Sequence, residues 1–173
     1  MVVNSALVIR PMRGTDSSAL GRVGFTAWNS NIPEPYNNSE PVLSALRKNF
    51  DDFAEKPTSQ VTVAVLNGVL VGWGARDNRL DPGNLSSDTN HISDLWVAPD
   101  YQGQGIGTAL LNAMIADIAS WHYETVTIDI AQSNHKAKKL YSRLGFEEFE
   151  RTMHYSRMLK CSVPVVVLEK YID

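Results

Sequence analysis

Gly103, Gly105 and Gly107 stand at alternate positions in the run Gln102-Gly103-Gln104-Gly105-Ile106-Gly107-Thr108, just after the apolar Leu95-Trp96-Val97 and just before Ala109-Leu110-Leu111. The chemistry this spacing offers is anion binding. Glycines leave main-chain N–H groups unshielded at the start of a helix, where the first donors lack partners and the positive end of the helix dipole favours negative charge. A pyrophosphate is the expected ligand. A dinucleotide fingerprint needs G-x-G-x-x-G and a P-loop ends in G-K-[ST], and neither spacing is present. The four histidines, His91, His122, His135 and His154, are scattered, and C-x-x-C and H-E-x-x-H spacings are missing, so no metal is expected. Cys161, between Leu159 and Val163 with no histidine or carboxylate beside it, reads as a structural thiol.

The elements that must position these groups are readable from periodicity. Ala6 to Arg10 is strand-like, Pro11 and Gly14 bring it to a turn, and Thr15 is the expected cap of a helix carrying Leu20, Val23, Ala27 and Trp28. Pro33 and Pro35 mark a loop from Asn29 to Tyr36. A second helix starts at Ser39 with Pro41 and shows a stripe of Leu43, Leu46, Phe50 and Phe53, read as core. Val61 to Leu66, Asn67-Gly68 and Val69 to Trp73 predict a hairpin with a type I′ turn. Arg76 to Asn90 is polar, holds Pro82-Gly83 and reads as a long loop. After the glycine turn, Ile106, Leu110, Met114 and Ile118 predict a helix as far as Trp121, and Thr125 to Ile130 alternates as a strand. Ser133 or Asn134 then caps a basic helix that ends at Leu144, with Gly145 beyond it. The order is a βαβα unit, which makes its two strands parallel with a right-handed crossover. Phe146 to about Lys160 reads as one or two further strands, and Val163 to Leu168, opened by Pro164, as an edge strand or a site of dimer exchange.

With 173 residues and 43% hydrophobic content, one domain is expected. A net charge of −3 and a pI near 5.8 argue against a nucleic-acid-binding surface, and no apolar run approaches the ~18 residues that cross a bilayer. One cysteine leaves no intrachain disulfide, and Met1 to Ser5 lacks a signal-peptide layout, so a reducing cytoplasm is the expected compartment.

Strand, glycine turn and helix together, with Gln102 to Gly107 spelling Q-x-x-G-x-G, resemble the coenzyme A signature of the GNAT family of N-acetyltransferases. Asn134 to Phe146 resembles the same family's other motif, N-x-x-A-x-x-L-Y-x-x-x-G-F, in the same order and at a similar separation. The resemblance covers residues 8 to 160 and implies an α/β (mixed α+β) acyl-coenzyme A N-acyltransferase fold. That fold has a central mixed sheet of six to seven strands flanked by about four helices and splayed in the middle to admit acetyl-coenzyme A. Residues 1–160 would form the domain and residues 161–173 an extension, read as an extra strand. By the same resemblance, Leu95, Trp96 and Val97 pair with the pantetheine arm, and Gln102, Gly103, Gln104, Gly105, Ile106, Gly107 and Thr108 hold the pyrophosphate. Many members carry Arg where Gln102 stands, which weakens charge neutralisation there. Asn134 would cap its helix and reach the pantetheine amides, and Lys138 would hold a coenzyme A phosphate.

Acetyl transfer requires a neutral amine, yet an aliphatic ammonium with pKa ~10.4 is less than about 0.1% neutral at pH 7. A base is needed. The family often places one near the start of the strand before the glycine turn, which makes His91 and Asp94 the candidates. Alternation sets Ser93 and Leu95 on the face opposite Asp94. Tyr141, the tyrosine of the second motif, is the expected proton donor to the departing thiolate; a hydroxyl near 10 facing a thiol near 8.5 gives up its proton at a cost of roughly 2 kcal/mol. Trp28, Tyr36 and Trp73 are candidate walls of the acceptor site. The expected activity is transfer of an acetyl group from acetyl-coenzyme A to a primary amine of a small molecule, amino-acid-like compound or peptide. The alternative is a non-catalytic acyl-coenzyme A sensor.

Overall fold

A computed structural model describes residues 6–30, 39–77, 89–156 and 161–172. Tyr36 and Pro82-Gly83 lie outside the described residues. Within them the strands are β1 (Leu7–Pro11), β2 (Gln60–Leu66), β3 (Val69–Arg76), β4 (His91–Val97), β5 (Thr125–Ala131), β6 (Glu147–Ser156) and β7 (Cys161–Tyr171). The helices are α1 (Ser17–Asn29), α2 (Glu40–Glu55), α3 (Ile106–Ser120) and α4 (His135–Arg143). The seven strands form one sheet in the order β1-β2-β3-β4-β5-β7-β6, and only β4 and β5 run parallel. The expected mixed sheet with helices on both faces is what the chain adopts. No helix among the described residues is long and apolar enough to cross a membrane.

Asn67 and Gly68 take φ of 51° and 82°, the primed turn that the Asn-Gly pair predicts, and join β2 to β3. The start of α1 differs from expectation. Gly14–Asp16 forms a single 3₁₀ turn, and Asp16 rather than Thr15 stands at the N-cap. The Asp16 carboxylate accepts from the Arg13 N–H at 2.7 Å and from Arg10 at 2.7 and 2.9 Å, so one side chain ties β1 to the helix entry.

The second correction concerns the tail. β7 is paired along its length, with β5 on one side and β6 on the other, so the sheet's open edges are β1 and β6. Val165 to Leu168 are buried on both faces, which explains their unbroken apolar run.

The sheet opens at its centre. β4 and β5 share only two residue pairs, His91↔Thr127 and Ile92↔Ile128. On the other side of β4 the ladder with β3 slips between Ala75 and Arg76: Arg76 faces Ile92 while Ala75 faces Asp94, leaving Ser93 as an extra residue. A bulge adds local twist and bends its strand, and this one lies where β4 parts from β5. α1 and α2 cover one face of the sheet, packing Leu20, Leu46 and Phe50 around Trp73 of β3; α3 covers the other through Leu110, Leu111, Met114 and Ile118. Trp73, expected as an acceptor-site wall, is instead core, 1% exposed, with its indole N–H donating to the Leu20 carbonyl at 3.0 Å.

Candidate functional site

The glycine run forms a cradle for reasons of backbone conformation. Gly103 and Gly105 have φ of 74° and 81°, a region that costs other L-residues roughly 1–2 kcal/mol, and a Cβ on either would meet no protein atom within 4 Å. Space is left above the turn. Gly105 is the N-cap of α3 and no side chain caps that helix, so the N–H groups of its first turn have no intrahelical acceptor. The Gln102 carboxamide donates to the Val97 carbonyl at 3.0 Å, lashing the turn to the end of β4. Gln104 is exposed and turned back to the Asp100 carbonyl, and Ile106 is buried in the core, so both contribute main chain only.

A cleft of about 430 Å³ opens above this turn. It is lined by Leu95, Trp96 and Val97 of β4, by Gln102, Gly103, Gly105, Gly107 and Thr108, and by Asn134, Ala137, Leu140 and Tyr141. Beyond Ile92 the β4 main chain has no β5 partner, so an extended amide-bearing arm has ladder positions to occupy. Lys136, which the sequence reads as part of a solvated basic face, and Arg143, which sequence reasoning passed over, add positive charge to the lining. Lys138 lies elsewhere: its ammonium bonds Glu148 at 2.8 Å beside a separate hollow, and together with Arg151 it holds the Glu148 carboxyl down at about 2. These features fit a phosphorylated carrier with a pantetheine-like arm.

A second, inner cavity of about 220 Å³ shares Leu95, Trp96, Asn134, Ala137 and Tyr141 with the first and runs through the opening in the sheet. Trp28, Ser93, Asp94 and Asp129 complete its polar and aromatic lining. The bulge undoes simple alternation: Ser93, Asp94 and Leu95 all line this cavity, and the Ser93 hydroxyl donates to the Ala75 carbonyl at 3.4 Å. Trp96 Nε1 donates to Asp94 at 2.9 Å. Burial raises the Asp94 carboxyl above its ordinary value, against the lowering effect of the Trp96 indole and the nearby Ser93 hydroxyl. Asp129 escaped notice because β5 alternates so regularly that its polar face reads as solvent-facing; the opening beside β4 makes that face a cavity wall.

His91 does not line either cavity. It is buried, Nδ1 lies 2.9 Å from Thr127 Oγ1, and Nε2 lies 3.9 Å from Oδ2 of Asp129, which does line the inner cavity. Tyr141 is placed by the end of α4. The Phe146 N–H bonds the Tyr141 carbonyl and the Gly145 N–H bonds the Ser142 carbonyl, a Schellman closure that requires the left-handed Gly145, φ 86°. Its usual apolar contact is here the edge-on packing of Phe146 against the Tyr141 ring, centroids 5.6 Å apart. Asn134 closes the other end of α4, its side-chain oxygen accepting from Ala137 N–H at 3.0 Å. Tyr141 is 5% exposed, and burial pushes its hydroxyl pKa up, so it stays protonated throughout the working range.

The chain is similar to known proteins in sequence and in fold. An uncharacterized N-acetyltransferase of Methanocaldococcus jannaschii is 35% identical over 98 residues, 57% of this chain and 43% of that protein. An N-alpha-acetyltransferase of Sulfurisphaera tokodaii is 32% identical over 101 residues, 54% of this chain and 59% of that protein. The chain therefore spans about half the length of these relatives. In fold it is similar to a GCN5-related N-acetyltransferase from Rhodopseudomonas palustris (TM-score 0.74, 20% identity, 99% of each chain). It is likewise similar to a PaiA N-acetyltransferase from Thermoplasma acidophilum solved with coenzyme A (TM-score 0.71, 16% identity, 96% of this chain and 99% of that one). The model of the acetyltransferase (GNAT) family matches residues 25–146, from α1 through the glycine turn to the closure of α4, and on that match the chain belongs to the GNAT family.

Proposed function

We propose that this protein transfers an acetyl group from acetyl-coenzyme A to a primary amine of a small molecule, amino-acid-like compound or peptide, by direct attack. The observation that carries the reading is the shared wall: Tyr141 lines both the cradle cleft and the inner cavity, so one side chain borders the space for a carrier's arm and the space for an acceptor. The names of the relatives and the coenzyme A held by the Thermoplasma protein support it. Carried to this chain, the cradle amides and Thr108 hold the pyrophosphate, the open flank of Leu95 to Val97 pairs with the pantetheine arm, and Lys136 and Arg143 neutralise phosphate charge.

In the step itself the amine nitrogen bonds to the thioester carbon and the C–S bond breaks. The amine's proton passes to a base, and the thiolate takes the proton of Tyr141. Burial makes Tyr141 a weaker acid, but the same dry cavity makes the thiolate a stronger base, so the gap between them does not widen with Tyr141 alone. We assign the base to Asp94. It lies in the cavity with Tyr141, and its raised pKa brings it toward the operating pH, where a general base works best.

The test is thiol release from acetyl-coenzyme A with a panel of amines. Tyr141→Phe is expected to lower kcat roughly 10²-fold or more while coenzyme A affinity stays within about twofold. Unchanged turnover removes Tyr141 from the reaction. A folded, coenzyme A-binding protein that releases no thiol with any amine favours the sensor instead.

A further inference from the structure

We propose that the side chain of Trp96 is a positioning residue for acetyl transfer: its indole N–H holds the Asp94 carboxylate in place at the inner cavity. The proposal rests on the reading of Asp94 as the base. It gives the indole a role separate from that of the Trp96 main chain, which flanks the space for a carrier's arm. Trp96 Nε1 donates to Asp94 Oδ1 at 2.9 Å, and both side chains belong to residues that line the inner cavity.

Strand geometry explains why the two side chains meet. Beyond the bulge at Ser93 the ladder with β3 is regular, with Asp94 opposite Ala75, Leu95 opposite Gly74 and Trp96 opposite Trp73. Asp94 and Trp96 therefore share the face that α1 and α2 cover, roughly 7 Å apart along the strand, a gap that an indole reaching back can span. The ring is braced from the core. Phe50 of α2 stands edge-on to Trp96, centroids 5.8 Å apart, and edge-on to the buried Trp73 at 6.3 Å, whose own N–H is tied to the Leu20 carbonyl. An indole N–H only donates and does not titrate in the working range, so it favours the charged carboxylate without competing for the proton. Burial and the charge of Asp77 oppose ionisation of Asp94, and Ser93 assists it. Asp129 of β5 and Tyr141 of α4 line the same cavity, with His91 beside Asp129. All of these groups stay in place when the indole N–H alone is removed.

Two replacements make that removal. Trp96→Phe trims the ring, and benzothienylalanine in its place keeps the bicyclic shape with a sulfur where the N–H stands. Thiol release is measured across the pH range and coenzyme A affinity by calorimetry. Loss of a hydrogen bond to the ionised carboxylate is expected to move the acidic limb of kcat/KM up by about one to two pH units, so the rate below the limb falls roughly 10- to 100-fold and recovers above it. Coenzyme A affinity is expected to stay unchanged with benzothienylalanine. In the wild-type protein the Trp96 indole N–H resonance is expected to move downfield as Asp94 ionises and to lose that titration in Asp94→Asn. A rate loss equal at every pH, or an indole resonance indifferent to Asp94, overturns the proposal. A limb that Asp94→Asn abolishes but benzothienylalanine leaves unmoved defeats the positioning role alone. A limb that survives Asp94→Asn defeats the base assignment, and the positioning role falls with it.

Discussion

At the scale of single residues, Asp94 joins function to a cost in stability. Burial raises its folded-state pKa above the unfolded value near 3.9, so proton binding favours the folded chain. Its protonated form is the better tolerated one: the stability is present below about pH 4 and is lost as pH rises through the folded pKa. Asp94→Asn mimics that form and can still accept from Trp96 Nε1. It is expected to raise the melting temperature at pH 8, to leave it unchanged near pH 4, and to abolish most turnover. A melting temperature that fails to rise at pH 8 would show that the site does not strain this carboxyl. His91 gives the complementary experiment. If Asp94 is the base, His91→Ala keeps the acidic limb of the kcat/KM profile and lowers the rate indirectly, through neighbours such as Asp129 and Thr127. Loss of that limb would move the base to the imidazole.

At the scale of elements, the most legible parts were those where a local rule and a ligand demand the same residue. Gly103 and Gly105 are required by positive φ, and the room they leave is also what an anion needs. Leu140 to Phe146 is legible for a related reason: the run closes α4 as a Schellman motif and in doing so fixes the Tyr141 ring. Asp129 and the true position of β7 were hidden, because both depend on which strands become neighbours across long stretches of chain, and periodicity carries no such information. The same ignorance of neighbours made Trp73 read as a cavity wall and left the bulge at Ser93 unseen. Gly145 tests the link between closure and catalysis. A Cβ there would make only ordinary contact with Lys170 at 3.7 Å, so the penalty of Gly145→Ala is conformational, about 1–2 kcal/mol. Urea unfolding should show that loss, and kcat should fall further than coenzyme A affinity, because the Tyr141 ring loses its brace. A variant with wild-type midpoint and kcat would mean that α4 closes without the left-handed residue.

At the scale of the whole molecule, the sheet is two halves joined across β4 and β5 by two residue pairs, and α3 is the apolar bridge between them. Its first turns pack Ile106 and Leu110 on Ala64 and Val71, while Leu111, Met114 and Ile118 pack on the β5 side with Ile128, Val166 and Phe146. Met114 also presses on β3, where a Cβ on Gly74 would stand 2.5 Å from its methyl carbon. A weak central seam is the consequence of keeping an opening for a ligand, and the ligand should repair it. Coenzyme A in the cleft would touch β4, the start of α3 and α4 together, binding only the folded chain. At a ligand concentration about 100 times Kd, mass action adds about 2.7 kcal/mol. For a chain of this size that corresponds to a rise in melting temperature of roughly 5–11 °C. Dephospho-coenzyme A and pantetheine alone divide the effect between the 3′-phosphate, the pyrophosphate and the arm. Most of the rise should survive loss of the 3′-phosphate and disappear with the pyrophosphate, because the first-turn N–H groups of α3 have no side-chain cap and no intrahelical acceptor. A melting temperature indifferent to coenzyme A at saturation, or equal shifts from pantetheine alone, would mean that the glycine turn serves the fold and not the carrier.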